Sequence, residues 1–201
     1  MTNRTLTSPS GRTLHHVASR RTTPAEDREA KELRILATRQ KRLAENREYL
    51  KNANVRAYLA AIAAAEGGDY DLMYGGVRGK KNDRWRFSDF STHPGPGIDG
   101  RTTAAGRYQI NKANWKENGE KKMGLTDFSA NTQDLIAVEA IRYAHAINDV
   151  ITGDIEPAAR KTSTVWAAIP KGPGIPNDAG QPYMHYESFL KAFKENGGVA
   201  R

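Results

Sequence analysis

The fold reading turns on one stretch, Val55-Arg56-Ala57-Tyr58-Leu59-Ala60-Ala61-Ile62-Ala63-Ala64-Ala65-Glu66-Gly67-Gly68. Val55, Tyr58, Leu59 and Ile62 recur at helical spacing in a run of alanines, the strongest helix formers. The double glycine supplies the left-handed stop that ends many helices. Glu66 follows Ile62 by one turn and shares its inward face. As the last residue before the glycines, its carboxyl also faces the negative end of the helix dipole. Burial and dipole both disfavour the charged form and push the pKa up. A carboxylic acid kept neutral near pH 7 is what a general acid for glycosidic-bond cleavage requires. The plainer alternative is a helix-terminal glutamate reaching solvent.

Downstream, residues 70–91 read as extended. Trp85, Phe87 and Asp89 alternate with Arg84, Arg86 and Ser88, and Lys80-Lys81-Asn82-Asp83 suits a hairpin turn. Residues 92–106 form a loop. Ser129 caps a helix carrying Leu135, Val138, Ile141, Ala144 and Ile147. Another starts at Asp154 with Pro157 in its first turn and runs to Pro170. After a Pro/Gly-rich loop at 170–182, Tyr186, Phe189, Leu190 and Phe193 mark a last helix, closed by Asn196-Gly197-Gly198. Helices dominate with one small antiparallel lobe inserted early, an α+β pattern.

Upstream, residues 1–24 are rich in Thr, Ser and Arg and predict a segment that is disordered or ordered by a partner. Residues 25–53 predict a helical extension, and 54–201 the principal domain. Leu36, Leu43 and Leu50 recur every seven residues, but Gln40 and Arg47 interrupt the second seam. The stripe suits either docking on a partner or a solvated helix leading into the domain.

The chain has 201 residues, no cysteine and a net charge of +8. These exclude a disulfide-built scaffold and a cysteine zinc site. No apolar run is long enough for a transmembrane helix, and the N-terminus lacks a signal-peptide core. The five histidines show no metal spacing, and no cofactor is expected. The charge suggests nucleic-acid binding until it is divided. Residues 1–56 hold 13 Lys+Arg and 6 Asp+Glu, so the remainder is almost neutral. Without aromatic interleaving, the basic leader suits contact with partner proteins, nucleic acid or an anionic membrane as an accessory role.

The segment from Ala64 through Glu66, Tyr70-Asp71 and Met73-Tyr74 to Gly76 resembles the catalytic motif of the lambda-phage endolysin family. Further blocks follow in that family's order: Phe87 to Pro94, Thr103-Ala104-Ala105-Gly106-Arg107-Tyr108-Gln109, Asp127-Phe128-Ser129 with Gln133-Asp134, and Ser163 to Pro170 with Gly180-Gln181. The resemblance spans roughly residues 54–199 and implies a lysozyme-like fold. It departs from the family pattern in a shorter link between Glu66 and Tyr70 and in a basic insertion at 77–86.

The resemblance implies cleavage of the MurNAc–GlcNAc β-1,4 bond of peptidoglycan, as a lytic transglycosylase with Glu66 as the single catalytic acid. The glycan strand would be the principal partner. Candidate substrate contacts are Tyr108, Gln109, Gly106, His93, Asp89 and Gln181. Asp69, Asp71 and Asp89 remain open as a second carboxylate for a hydrolase. The leader leaves an enzyme attached to phage particle proteins and acting at cell entry as the alternative to a free lysis enzyme. The chain is expected in the phage particle or in the bacterial cytoplasm before lysis, acting in the periplasm and cell wall.

Overall fold

The structure is a computed structural model; it describes residues 6–7, 13–14, 23–177, 180 and 182–201. Two compact units divide at Ile35 and Leu36. In the first, β1 (Leu6–Thr7) pairs antiparallel with β2 (Thr13–Leu14), the described piece of a leader expected to be disordered or ordered by a partner.

Helix α1 (Pro24–Leu50) is continuous, with Glu26 and Asp27 in its first turn as the dipole favours. The boundary of the second unit at Leu36 lies well before residue 54, because the second half of α1 packs on the domain. Of the heptad leucines, Leu43 and Leu50 pack against the core while Leu36 is half exposed. The seam thus belongs largely to the chain's own core.

At the centre of this contact Asn46 is fully buried, and its Nδ2 donates to Glu139 Oε2 at 3.0 Å. Glu139 is buried too, with Lys122 and Arg142 each 3.6 Å from its oxygens and Arg42 at 3.8 Å. Arg142 also donates to Asn46 Oδ1 and Glu45 Oε2, both at 2.6 Å. A buried carboxylate is tolerated only when surrounded in this way.

Helix α2 (Ala53–Glu66) follows. The Asn52 side chain accepts from the Val55 N–H to cap its start, and Gly67 ends it at φ 67° with its N–H on Ala63 O. Its apolar face is the middle of the core. Tyr58 meets Phe189 and Phe193 edge-on at 5.3 and 6.4 Å between ring centroids, and its hydroxyl shares a 2.7 Å hydrogen bond with Thr162.

The expected hairpin over 70–91 is not formed among the described residues. The turn is present, with Asp83 N–H on Lys80 O, but the chain makes only single antiparallel bridges, Leu72 to Arg86, Met73 to Ala105 and Ala105 to Ile110. Side chains have taken the ladder's partners. Asp83 accepts from Val77 and Trp85 N–H groups, and Arg86 Nε donates to Lys80 O at 2.7 Å.

Next, α3 (Lys112–Asn114) runs into a π-helix (Trp115–Lys121) that the sequence pattern did not announce. Gly119 lies within it, facing Ile136. Ser129 caps α4 (Ala130–Tyr143) as expected, but the helix stops short of Ile147. His145, at φ 56°, turns the chain into α5 (Ile147–Thr152). Helix α6 (Ile155–Thr162) starts after Asp154 and ends well before Pro170; its stripe continues through turns that still bury Trp166 and Ile169. Helix α7 (Tyr186–Glu195) closes the core, with Gly198 lying flat against the Phe193 ring. No described helix is long and apolar enough to cross a membrane.

Removing residues 1–35 should leave the melting temperature nearly unchanged. Removing residues 1–51 takes away Arg42 and Asn46 from around Glu139 and the core contacts of Leu43 and Leu50, for a loss of about 3–5 kcal/mol. Thermal and urea unfolding of the two truncated chains would check both values.

Candidate active site

Glu66 occupies the last position of α2 and is half-buried. Its carboxyl pKa is raised to about 7 by burial, partly opposed by the Ala168 backbone N–H that donates to it. It lines a cavity of about 460 Å³. One wall is Leu72 to Gly76 with Ala104 bonded alongside; Thr102, Gln109 and Val165 to Ala167 complete the lining. Backbone bonds fix the first wall: Tyr74 N–H to Ala104 O at 2.9 Å, Gly106 N–H to Leu72 O at 2.7 Å, and Ile98 N–H to Tyr74 O at 3.0 Å.

Among the described residues, Gln109 is the one proposed substrate contact that lines this cavity. It sits at φ 47°, a conformation non-glycine residues rarely adopt, with its Nε2 donating to Gly106 O at 3.0 Å. Gly106 is buried at φ 75°, where glycine alone fits without strain.

The other proposed contacts among the described residues lie outside its lining. Tyr108 is 1% exposed, and its hydroxyl donates to Asp134 Oδ1 at 2.6 Å. It offers no free ring face to a sugar. His93 is buried; its Nε2 bonds Ile110 O at 2.9 Å and its Nδ1 accepts from Gly95 N–H at 3.1 Å. Burial lowers its pKa, so it is a neutral loop anchor. Asp89 is exposed, accepts from Ser91 N–H at 2.8 Å, and is held below its usual pKa by Ser91. Gln181 lies outside the described residues.

The other carboxylates near Glu66 are engaged. Arg86 clasps Asp69, at 2.6 Å, and Asp71 together. Its guanidinium holds Asp69 below the ordinary carboxylate range. Glu66 is therefore the acid that lines the cavity among the described residues.

Tyr74, 41% exposed, Met73 and Thr102 also line the cavity, and the sequence did not mark them as site residues. Tyr74 was visible within the motif after Glu66, but nothing in the spacing separated a rim tyrosine from a core one. Trp166 is both core and wall: its Nε1 donates to Tyr108 O at 3.1 Å. A larger cleft of about 790 Å³ between α1 and α4 is lined by Arg42, Lys122 and Arg142, but these cations face the buried Glu139. Among the described residues no group of three His, Cys, Asp or Glu side chains is placed to hold a metal ion.

A helical domain with one half-buried acid over a glycan-sized cavity has the organisation of a lysozyme. A family model described as Endolysin matches residues 56–200, and the chain belongs to the endolysin family. It is 32% identical to the endolysin of Escherichia phage lambda over 166 residues, spanning 75% of this chain and 95% of that one. It is 31% identical to the endolysin of Escherichia phage P2, with 73% and 94% covered. A solved structure of bacteriophage lambda lysozyme complexed with a chitohexasaccharide superposes with a TM-score of 0.64 at 31% identity, covering 75% of this chain and 97% of that one. The fold is thus lambda-lysozyme-like and mostly helical.

Replacing Tyr108 with Phe should cost about 1–2 kcal/mol of stability, because it removes one bond to the half-buried Asp134 carboxylate, while leaving KM for peptidoglycan unchanged. Gln109→Ala should raise KM. Unfolding curves and lysis kinetics on the two variants would separate core from cleft.

Proposed function

We propose that this endolysin degrades peptidoglycan by cleaving the MurNAc–GlcNAc β-1,4 bond as a lytic transglycosylase, with Glu66 as the acid. The carrying observation is that Glu66 lines the cavity without a second free carboxylate beside it among the described residues. The relative solved with a chitohexasaccharide supports a glycan in the same cleft.

Neutral Glu66 donates its proton to the departing glycosidic oxygen as the C–O bond breaks. The oxocarbenium-like centre on the muramoyl sugar is then attacked by that sugar's own C6 hydroxyl. The Glu66 carboxylate takes the hydroxyl proton and returns to its starting state. The products are a new 4-hydroxyl and a 1,6-anhydro end, and water is not consumed. A hydrolase would need a second carboxylate as base or nucleophile. Asp69 and Asp71 are occupied by Arg86, and Asp89 is outside the cavity lining, which favours the single-acid scheme.

Two results are expected. Glu66→Gln should abolish lysis, and mass analysis of wild-type digests should find anhydro-muropeptides; reducing ends would replace this scheme with hydrolysis. Because the acid acts protonated, activity should fall as pH rises through about 7. The linked stability has the same sign. A carboxyl whose pKa is raised on folding contributes stability below its unfolded value, and that stability is lost as pH rises towards about 7. The melting temperature of wild type relative to Glu66→Gln should therefore decline over that range.

The segment before residue 56 lies outside the family match and carries most of the net charge. This favours attachment to the phage particle as its role. Gradient fractionation of a phage lysate should then find the protein with particles, and residues 1–35 should be required for that.

A further inference from the structure

We propose that Gln133 is a positioning residue for the acid. Its buried side-chain amide ties the segment that follows Glu66 to the turn that carries Gln109, fixing the cleft wall on which Glu66 rests. The proposal builds on Glu66 as the acid.

Gln133 lies on the first turn of α4 and is fully buried. Its Oε1 accepts the Arg107 backbone N–H at 2.9 Å. Its Nε2 donates to Tyr70 O and to Phe128 O, each at 2.9 Å. Two carbonyls face the nitrogen and one N–H faces the oxygen, so the amide has one sensible orientation. Both of its hydrogens and its oxygen are committed to backbone groups of three separate segments. The neighbouring side chain repeats the link: Asp134 Oδ1 accepts from Tyr70 at 2.8 Å and from Tyr108 at 2.6 Å.

The contact continues to the acid without a gap. A Cβ on Gly106 would fall 2.1 Å from Gln133 Oε1, so the bare backbone there is what admits the amide. A Cβ on Gly68 would fall 2.5 Å from Gly106 O and 2.7 Å from Arg107 O. The chain immediately after Glu66 therefore lies backbone to backbone on the turn Gln133 holds. Gln109, at the end of that turn, is kept in its left-handed conformation with N–H and side chain both on Gly106 O. A leucine at 133 would fill the space but leave the Arg107 N–H and two carbonyls buried without partners.

Few other groups can mimic the effect. Tyr74 is the other titratable residue lining the cavity. On the segments packed behind, Asp69 and Asp71 pair with Arg86, and Arg107 donates to the Tyr70 hydroxyl. Glu66 itself is shifted by burial and by the Ala168 N–H.

The test compares wild type, Gln133→Leu and Gln133→Glu. It measures peptidoglycan lysis against pH, and the titration of the Glu66 carboxyl by carbon-13 NMR, assigned by its loss in Glu66→Gln. Rates are normalised to the folded fraction. With the wall loosened, kcat should fall about tenfold or more, by a larger factor than KM rises through Gln109. The basic limb of the profile and the Glu66 titration should move together to lower pH, as water reaches the carboxyl. Variants that lose thermal stability yet keep the wild-type kcat and limb would overturn the proposal, since a merely structural glutamine does that. Should Gln133→Leu not fold, Gly106→Ala opens the same contact from the other side and is read identically. A wild-type Glu66 that titrates like an ordinary carboxylate would remove both the acid assignment and this inference. A high wild-type value with unmoved variants removes the inference alone.

Discussion

The geometry of the site depends on the backbone contact between Gly68 and the carbonyls of Gly106 and Arg107, where no side chain fits. It places the end of the central helix directly on the turn that brings Gln109 into the cleft lining. Glu66 is carried to that junction by a helix whose other inward residues are core, so the acid is held by the packing of the whole domain. The left-handed stop at Gly67 gives the chain its sharp exit. The position that makes the carboxyl hard to ionise is thus also the one that leaves it no freedom to turn away.

Much of this was legible in the sequence, for identifiable reasons. The alanine-rich run and its glycine stop specify α2 by local propensity, and Ser129 and Asn196-Gly197 mark helix ends by local chemistry. Glu66 was visible because its position on a helix face and at a helix end are both readable from spacing. What escaped depends on contacts distant in sequence. Tyr108 reads like a sugar platform, yet its hydroxyl is claimed by Asp134. His93 reads like a loop ligand, yet both ring nitrogens are taken by backbone. The lobe at 70–91 alternates like a hairpin, but Asp83 and Arg86 capture backbone groups that a ladder would use. The π-helix is masked by Gly119 and the asparagines around it.

The basic amino-terminal quarter divides in a way charge alone did not reveal. Its leucines and Asn46 belong to the domain's own packing, and three of the cations about that interface, Arg42, Lys122 and Arg142, serve the buried Glu139. Positive charge here is partly internal counter-charge, so a chain average overstates what is offered to an outside anion.

The burial of Glu139 has a consequence for ionic strength. Charges on the exposed surface are screened within about 10 Å at 0.1 M salt, whereas a sequestered pair is screened much less. Encounter with an anionic wall and retention of the first helix therefore respond differently to the same medium. Brine that weakens the protein's grip on its polymer leaves the helix seated, so the enzyme can be released from a surface while its fold is kept whole.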